Sequence, residues 1–149
     1  MTSKYKFVPD IKSQLRSFLS NTKTDWNYIT PIDFYNKYWT QSRSDYVLVD
    51  LREKSAYDKF HIDKSINIYW LDILNDENLQ LLPKDKKIFL ICYVGHTSSQ
   101  AMVLLKLLGY DAVGIKFGMG ISPQFGVPVA GWVNYNFPLV ECTDKHLLI

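Results

Sequence analysis

Apolar residues along the chain fall into short, nearly unbroken runs that alternate with longer segments of mixed apolar and polar residues. DYVLVDL at 45–51, KKIFLIC at 86–92 and DAVGIKF at 111–117 predict strands covered on both faces, and SINIYW at 65–70 predicts a shorter one. Strands of this kind separated by helices are typical of parallel sheets. The pattern therefore predicts an α/β domain with a mostly parallel central sheet.

The intervening segments have the three- and four-residue spacing of apolar positions that indicates helices. We predict helices over 10–20, 31–40, 55–60 and 72–82, and one after the second strand that ends at Gly109. The second of these is expected to begin with Thr30 as its N-cap and Pro31 at its first position. The apolar faces predicted for the first, second and last helices are Ile11, Leu15, Phe18 and Leu19; Ile32, Tyr35 and Trp39; and Ala101, Leu104, Leu105 and Leu108.

Charge and cysteine usage narrow the class of protein. The 17 basic and 15 acidic residues give a formal charge of +2 and are spread in mixed runs, so no nucleic-acid surface is predicted. The longest apolar stretches are shorter than the roughly 20 residues that span a membrane, and the first residues lack the apolar segment of a signal peptide. We therefore expect a cytoplasmic protein without membrane contact. Two cysteines and three histidines without metal-ligand spacing predict neither a disulfide framework nor a metal site.

The segment most suggestive of chemistry is CYVGHT at 92–97. Cys92 closes an apolar strand, and Gly95 lets the following loop turn tightly into a helix. Ligand sites of parallel sheets lie beyond the carboxyl ends of the strands, and a helix N-terminus presents free N–H groups that stabilise an anion. A thiolate held there is a nucleophile. The alternative is that Cys92 is a small buried residue at the end of a strand.

From Tyr28 to Trp132 the chain resembles rhodanese-like sulfurtransferases. VLVDLREKSAYDKFHIDKSINI is similar to the first signature of the family, with its Asp-x-Arg, and LPKDKKIFLICYVGHTSSQAMVLLKLLGYDAV is similar to the second, in which the active cysteine heads a six-residue loop. The resemblance implies a rhodanese-like domain over 28–149, with a five-stranded sheet flanked by helices on both faces. It also implies an extended C-terminal loop over 118–132 and an N-terminal helical extension over 1–27.

The activity implied by the resemblance is sulfur transfer. Cys92 takes a sulfane sulfur from thiosulfate or a low-molecular-weight persulfide, becomes a persulfide and passes the sulfur to cyanide or a thiol, with no cofactor. The expected partners are these small molecules and a sulfur-carrier protein, and the protein is expected to be a monomer or a homodimer. A non-catalytic binding or regulatory module is the alternative. A rhodanese-fold phosphatase is disfavoured, because its longer loop ends in arginine where this chain has Ser98.

The resemblance also assigns roles to individual residues. The catalytic residue is Cys92, the substrate-binding residues are Tyr93, Val94, Gly95, His96, Thr97 and Ser98, and the supporting residues are Asp50, Arg52 and His61. Arg52 is expected beside the loop, where it holds the loop or contributes positive potential. The alternative is a surface arginine paired with Glu53 or Asp58. His61 is expected to form a structural hydrogen bond, since a thiolate nucleophile needs no base.

Some residues depart from the family pattern. Phe60 occupies the usual glycine position and DKS at 63–65 replaces Pro-Gly-Ala, so the turn after His61 must be built differently. The loop has no lysine or arginine, which favours a donor less charged than thiosulfate. His96 either faces solvent or, when protonated, supplies the missing positive charge.

The segment GMGISPQFGVPVAGW at 118–132 is longer than its counterpart in the family. It contains the apolar residues Ile121, Phe125, Val127 and Val129. We expect it to fold over the cysteine loop as one wall of the pocket, the alternatives being packing on the sheet edge and a subunit contact. Cys142 is expected to be structural, the alternative being a thiol that resolves the Cys92 persulfide.

Overall fold

Five parallel strands form the central sheet. The structure, a computed structural model, describes residues 10–24, 26–121 and 130–141. The strands are β1 (Tyr28–Ile29), β2 (Tyr46–Asp50), β3 (Phe60–His61), β4 (Ile66–Asn67), β5 (Lys87–Ile91), β6 (Ala112–Ile115) and β7 (Val140–Glu141). The order in the sheet is β1-β6-β5-β2-β4, with every pairing parallel, while β3 and β7 pair antiparallel. The predicted fold class is confirmed, although the apolar pattern gave no sign of β1, and β4 is shorter than predicted.

Helices cover both faces of this sheet, as predicted. They are α1 (Ile11–Asn21), α2 (Pro31–Phe34), α3 (Lys54–Lys59), α4 (Asp76–Leu79) and α5 (His96–Leu107), with a π-helical turn at Tyr35–Trp39 and 3₁₀ turns at Trp70–Asp72 and Trp132–Tyr135. Successive side chains of a strand point to opposite faces. Ile88 and Leu90 of β5 therefore pack with α5 in one cluster, and Phe89 and Ile91 pack with Phe34 in the other.

The second predicted helix is interrupted. Thr30 caps it by accepting a hydrogen bond from a backbone N–H at 3.1 Å, but α2 ends at Phe34 and the π-helical turn follows. Ile32, which was predicted to share a face with Tyr35 and Trp39, is 44 % exposed, and Phe34 is the buried residue of α2 beside it. The Phe34 ring packs against aromatic rings of the neighbouring strands. Tyr35 and Trp39, stacked on one another within the turn, contact the same cluster.

The predicted helix over 72–82 is wrong for most of its length. The 3₁₀ turn at Trp70–Asp72 and the short α4 replace it. The side-chain amide of Asn78 donates to the Asp72 carbonyl at 2.8 Å, and that of Asn75 donates to the Asp72 carboxylate at 3.4 Å. Short polar side chains that bond locally in this way compete with a continuous helix.

The helix after the cysteine loop buries only part of its predicted apolar side. Its buried residues are Ser98, Ala101, Met102 and Leu105. Leu104 and Leu108, which were predicted to lie on one side of the helix with Ala101 and Leu105, are 41 % and 48 % exposed. The stripe facing the sheet begins at the polar Ser98 and follows helical spacing from there, so these two leucines lie beside it. The helix ends where predicted, at Gly109, whose φ is 84°.

The N-terminal helix α1 lies where a helix was predicted, but it is mostly exposed. Phe18 packs against the core, whereas Leu15 and Leu19 are 40 % and 67 % exposed. None of its residues is buried. The division into an extension over 1–27 and a domain over 28–149 stays a prediction.

A buried ion pair lies at the carboxyl end of β2. Asp50 and Arg52 are 0 % and 1 % exposed. The guanidinium donates from Nε to Oδ1 of Asp50 at 3.0 Å and from Nη2 to Oδ2 at 2.7 Å, and Nη2 also donates to the Phe60 carbonyl at 2.8 Å. Arg52 is therefore not a surface arginine paired with Glu53 or Asp58, and that alternative is wrong.

Replacing Arg52 with methionine leaves the Asp50 carboxylate buried without its partner. Removing one member of a buried pair costs about 3–5 kcal/mol, because the remaining charge is neither solvated nor paired. We expect Arg52→Met to lower the free energy of unfolding by that amount in urea titrations. Arg43→Met is the matched control, since Arg43 pairs with Asp45 at the surface, where such pairs contribute about 1 kcal/mol or less. Equal losses in the two variants would contradict the argument.

Candidate active site

Cys92 directly follows β5, and its sulfur is held by backbone groups of the loop that leads into α5. Gly95, with φ of 96°, turns the chain so that α5 begins at His96. The Sγ atom accepts hydrogen bonds from the Gly95 N–H at 3.2 Å and the Ser98 N–H at 3.4 Å. Cys92 is only 2 % exposed. The loop therefore directs N–H donors at the sulfur, an arrangement that stabilises a negative charge there.

The Ser98 hydroxyl is a further partner of this sulfur. Its Oγ lies 3.4 Å from Sγ and donates to the Gly95 carbonyl at 3.1 Å. A thiol donates its S–H to Oγ, whereas a thiolate can only accept, so the hydroxyl must turn toward the sulfur when the proton is lost. Because Ser98 is 1 % exposed, solvent does not compete for this bond.

Residues 117–121, which we name the strap, follow β6 and run along the cysteine loop. The Met119 N–H donates to the Cys92 carbonyl at 2.8 Å, and the Gly120 N–H donates to the Tyr93 carbonyl at 2.9 Å. The C=O and N–H of a trans peptide point in opposite directions, and the described chain has no cis peptide. Each anchored carbonyl therefore turns the N–H of the following residue away from the strap.

The strap fits beside the loop because it contains glycine. Gly118 has φ of 52°, and a Cβ there would overlap the Cys92 carbonyl oxygen and lie 2.9 Å from its carbon. A Cβ on Gly131 would overlap Gly120 in the same way. The Trp132 N–H also donates to the Gly118 carbonyl at 3.0 Å. The strap is thus fixed in a narrow space between the cysteine loop and the segment that starts at Gly131.

A cavity of about 250 Å³, here the Tyr93 cavity, adjoins the loop on the side of α3. It is lined by Arg52, Ser55, Ala56, Lys59, Phe60, Tyr93 and Ile121. Most of these residues belong to α3 or its flanks, and the last belongs to the strap. The cavity therefore lies where the continuations of β2, β5 and β6 meet, beyond the carboxyl ends of the strands.

The Tyr93 ring forms one wall of this cavity and is fixed by Glu53. Its O–H donates to Glu53 Oε2 at 2.6 Å. Burial and the hydrogen bond to Glu53 raise the pKa of Tyr93 to about 12, and the same bond lowers the pKa of Glu53. The proton therefore stays on the tyrosine at neutral pH. The guanidinium carbon of Arg52 lies 5.8 Å from the ring centre, but its charge is paired with Asp50.

The segment from α2 through the cysteine loop to the start of the strap has a known counterpart. Residues 34–117 match the model of the Rhodanese-like domain. The chain belongs to the rhodanese-like domain family. This match includes the ion pair at the end of β2 and the sulfur-binding loop, and it confirms the family indicated by the two signatures.

Curated relatives of this rhodanese-like chain are much longer proteins. The adenylyltransferase and sulfurtransferase UBA4 of Yarrowia lipolytica is 30 % identical over 74 residues, which are 50 % of this chain and 19 % of UBA4. The probable adenylyltransferase/sulfurtransferase MoeZ of Mycobacterium tuberculosis is 33 % identical over 92 residues, 61 % of this chain and 23 % of MoeZ. The matched segment thus spans about a fifth of the length of each relative.

Solved structures share the rhodanese-like fold. A rhodanese-related protein from Thermoplasma volcanium matches with a TM-score of 0.61 and 26 % identity, covering 76 % of this chain and 97 % of that protein. The rhodanese-like domain of an Anabaena protein matches with a TM-score of 0.63, covering 82 % of this chain and 85 % of that domain. Its identity of 18 % makes it a likeness of fold alone.

Among the described residues, neither His61 nor His96 is a hydrogen-bond partner of the Cys92 sulfur of the rhodanese-like loop. His61 bonds through Nδ1 to the Tyr57 carbonyl at 2.9 Å and stacks on the Tyr57 ring, with centres 3.9 Å apart. His96 is exposed at the start of α5, and with Val94 it lines a second cavity of about 370 Å³. Thr97 is half-buried in the first turn of α5. The roles assigned to these residues stay predictions.

Sequence reasoning did not identify three residues that shape this site, Glu53, Lys59 and Gly118. Gly118 had a signal, because glycine at 118 and again at 120 directly after a predicted strand indicates a close approach of backbones. Glu53 and Lys59 had none. Charged residues at the ends of a short helix are ordinary surface residues in most proteins, and only the fold places these two beside the loop.

Several predictions concern residues outside the described ranges. Phe125, Val127 and Val129, which make up most of the predicted wall, are among them, and so is Cys142. Of that segment the described part includes Ile121, which borders the Tyr93 cavity. Within the described ranges, no group of three or more His, Cys, Asp or Glu side chains is placed to hold a metal ion. No helix in these ranges is long and apolar enough to cross a membrane.

Ser98→Ala removes the hydroxyl that we expect to donate to the Cys92 thiolate, and it leaves the backbone N–H in place. A hydrogen bond to a charged group contributes about 1.5–3 kcal/mol, so we expect the rate of Cys92 alkylation by iodoacetamide at neutral pH to fall about tenfold or more. Ser99→Ala is the matched control, because the Ser99 hydroxyl donates to the Gly95 carbonyl at 2.7 Å. Similar alkylation rates in the two variants would show that the Ser98 hydroxyl does not stabilise the Cys92 thiolate.

Gly118→Ala places a Cβ against the Cys92 carbonyl at a positive φ. Overpacking costs about 1–3 kcal/mol, and we expect that loss of unfolding free energy together with slower alkylation of Cys92, since the carbonyl must move. Gly109→Ala is the control for backbone strain alone. Gly109 also has a positive φ, but a Cβ there meets nothing closer than Lys84 Nζ at 3.9 Å. If Gly109→Ala slows alkylation as much, the strap does not orient the loop.

Proposed function

We propose that the protein is a sulfurtransferase in which Cys92 accepts a sulfane sulfur as a persulfide and passes it to an acceptor. The observation that supports this most directly is the pair of N–H groups, from Gly95 and Ser98, that donate to Sγ. A persulfide is an anion, and backbone donors at a helix N-terminus stabilise anions. Membership of the rhodanese-like family and two relatives named as sulfurtransferases support the same function.

Both steps of the reaction balance without a cofactor or a metal. The Cys92 thiolate attacks the sulfane sulfur of thiosulfate or of a low-molecular-weight persulfide, forming an S–S bond to Sγ. The donor's own bond to that sulfur breaks, and sulfite or a thiolate leaves with the electron pair. Cyanide or an acceptor thiolate then attacks the outer sulfur, leaving as thiocyanate or a new persulfide, and the electron pair of the broken bond returns to Cys92.

We infer that the donor approaches from the Tyr93 cavity. The carbonyls of Cys92 and Tyr93, which would repel an anion, are bonded to Met119 and Gly120 of the strap. The Tyr93 N–H is turned away from the strap by this bonding. Both of these carbonyl oxygens are therefore already bonded when an anion reaches the loop.

The two other functional classes have less support. A non-catalytic binding module does not require a thiol that accepts hydrogen bonds from backbone N–H groups. This chain has both the thiol and the N–H donors. A phosphatase of this fold needs an arginine that grips phosphate at the end of the loop. Here Ser98 occupies that place, and Arg52 is bonded to Asp50.

The acceptor in this proposal includes a sulfur-carrier protein as well as small thiols and cyanide. UBA4 and MoeZ are named as both adenylyltransferases and sulfurtransferases, and their similarity to this chain supports sulfur transfer within a longer sequence of reactions. The cytoplasmic location and the monomeric or homodimeric state stay predictions.

Intact-protein mass spectrometry tests the proposal. Mixing the reduced protein with thiosulfate, and separately with glutathione persulfide, should add about 32 Da, the mass of one sulfur atom. Cys92→Ser keeps the size of the side chain and removes the thiol, so it should gain nothing. Added cyanide should reverse the gain, because it removes the outer sulfur. If neither donor loads the folded wild-type protein, the sulfurtransferase proposal fails and the binding module takes its place.

A further inference from the structure

An exposed carboxylate that the proposed reaction does not use, that of Glu53, is bonded to Tyr93, a residue that lines the Tyr93 cavity. Glu53 directly precedes α3, and its Oε2 accepts the Tyr93 O–H at 2.6 Å. The carboxylate is thereby fixed against the residue that follows the nucleophile in sequence. The same hydrogen bond lowers the pKa of Glu53, so the side chain is ionised at neutral pH. A negative charge held by this hydrogen bond therefore lies beside the route that we infer for the donor.

The positive charges around the cavity do not outweigh this one. Arg52 lines the cavity, but both oxygens of Asp50 accept its hydrogen bonds. Lys59 also lines the cavity. Lys54, the other lysine of α3, forms an ion pair with an aspartate of the same helix. Among the described residues at this rim, Lys59 balances Glu53. No net positive charge is left to attract a dianion.

The remaining lining favours a donor with an organic group. Apolar or aromatic surface comes from Ala56, Phe60, Tyr93 and Ile121. Contact between such a surface and the carbon atoms of a donor lowers the free energy of binding. A small inorganic ion would lose hydration there without gaining an equivalent contact.

We propose that Glu53 is a specificity-determining residue that disfavours dianionic sulfur donors, such as thiosulfate, relative to donors with one negative charge. The proposal rests on the proposed sulfur transfer through Cys92 and names the donor class for that site. Its basis is Coulombic, because a fixed unit charge repels a dianion twice as strongly as a monoanion at the same distance. Glu53 acts on the approach of the donor and takes no part in bond exchange at sulfur.

Thiosulfate and the methanethiosulfonate anion form a matched pair of donors. They are similar in size, and each offers a sulfane sulfur bonded to an oxidised sulfur. Methanethiosulfonate has a methyl group where thiosulfate has a charged oxygen. With either donor, Sγ forms a bond to the sulfane sulfur and the S–S bond of the donor breaks. Sulfite or methanesulfinate then leaves with the electron pair, so the chemistry is the same and the charge differs by one.

Glu53→Gln removes the charge and keeps an oxygen that accepts the Tyr93 O–H. The second-order rate of Cys92 loading, measured by mass spectrometry of quenched samples, should rise about two- to threefold for methanethiosulfonate at low ionic strength. For thiosulfate the factor is squared, giving about four- to ninefold. Both factors should fall toward one in about 0.5 M salt, where charges are screened within a few ångströms. Glu77→Gln, which removes an exposed carboxylate of α4, is the control and should change neither rate.

Tyr93→Phe tests whether the hydrogen bond holds the charge in place. Releasing the carboxylate should raise the thiosulfate-to-methanethiosulfonate rate ratio by a smaller factor than Glu53→Gln does. The double variant Glu53→Gln, Tyr93→Phe should have the same thiosulfate-to-methanethiosulfonate rate ratio as Glu53→Gln alone, because no charge remains to move. A further rise in the double variant would assign the discrimination to another residue.

Failure of this inference differs from failure of the sulfur transfer on which it rests. If wild-type protein takes sulfur from neither donor, the proposed function itself fails. If wild-type protein is loaded but Glu53→Gln changes both rates by one common factor, or by no more than Glu77→Gln does, Glu53 does not determine specificity. Sulfur transfer through Cys92 then stands without it.

Discussion

The candidate site depends on two hydrogen bonds, from the N–H groups of Met119 and Gly120 to the carbonyls of Cys92 and Tyr93. A carbonyl oxygen turned toward the sulfur would repel the negative charge that the proposed reaction places there. Bonding these oxygens to the strap leaves N–H donors on the other side of the loop. The strap in turn requires glycine at 118, where a side chain would collide with the Cys92 carbonyl. The anion-stabilising property of the loop is therefore determined partly by a segment that follows it by some twenty-five residues.

The ion pair of Asp50 and Arg52 supports the site from the neighbouring strand. It joins the end of β2 to the Phe60 carbonyl and so fixes both ends of the segment that contains α3. Because the pair is neutral as a whole, it gives the Tyr93 cavity its shape without giving it a net charge. The site thus stabilises charge on sulfur through oriented backbone dipoles, which act at short range, and not through a cationic surface that would attract every anion in solution.

Features that depend on neighbouring residues in sequence were predictable, and those that depend on distant elements were not. The loop at Cys92 follows from an apolar run, a glycine and a helical pattern, which are all local. The spacing of Asp50 and Arg52 offered a hint, since residues two apart point to the same side of an extended chain, but nearby Glu53 offered an equally plausible partner. The π-helical turn at Tyr35–Trp39 has no sequence signal of this kind, and its rings pack against aromatic rings of elements distant in the chain.

The order of the elements along the chain has a consequence for biosynthesis. The ribosome produces Cys92 before the strap, and the strap before Trp132, whose N–H fixes it. β7, the partner of β3, is produced later still. A nascent chain therefore contains the thiol before the groups that orient its loop exist, and domains fold as units as synthesis proceeds. The cysteine loop of the proposed sulfurtransferase therefore reaches the geometry described here only after translation has passed the strap.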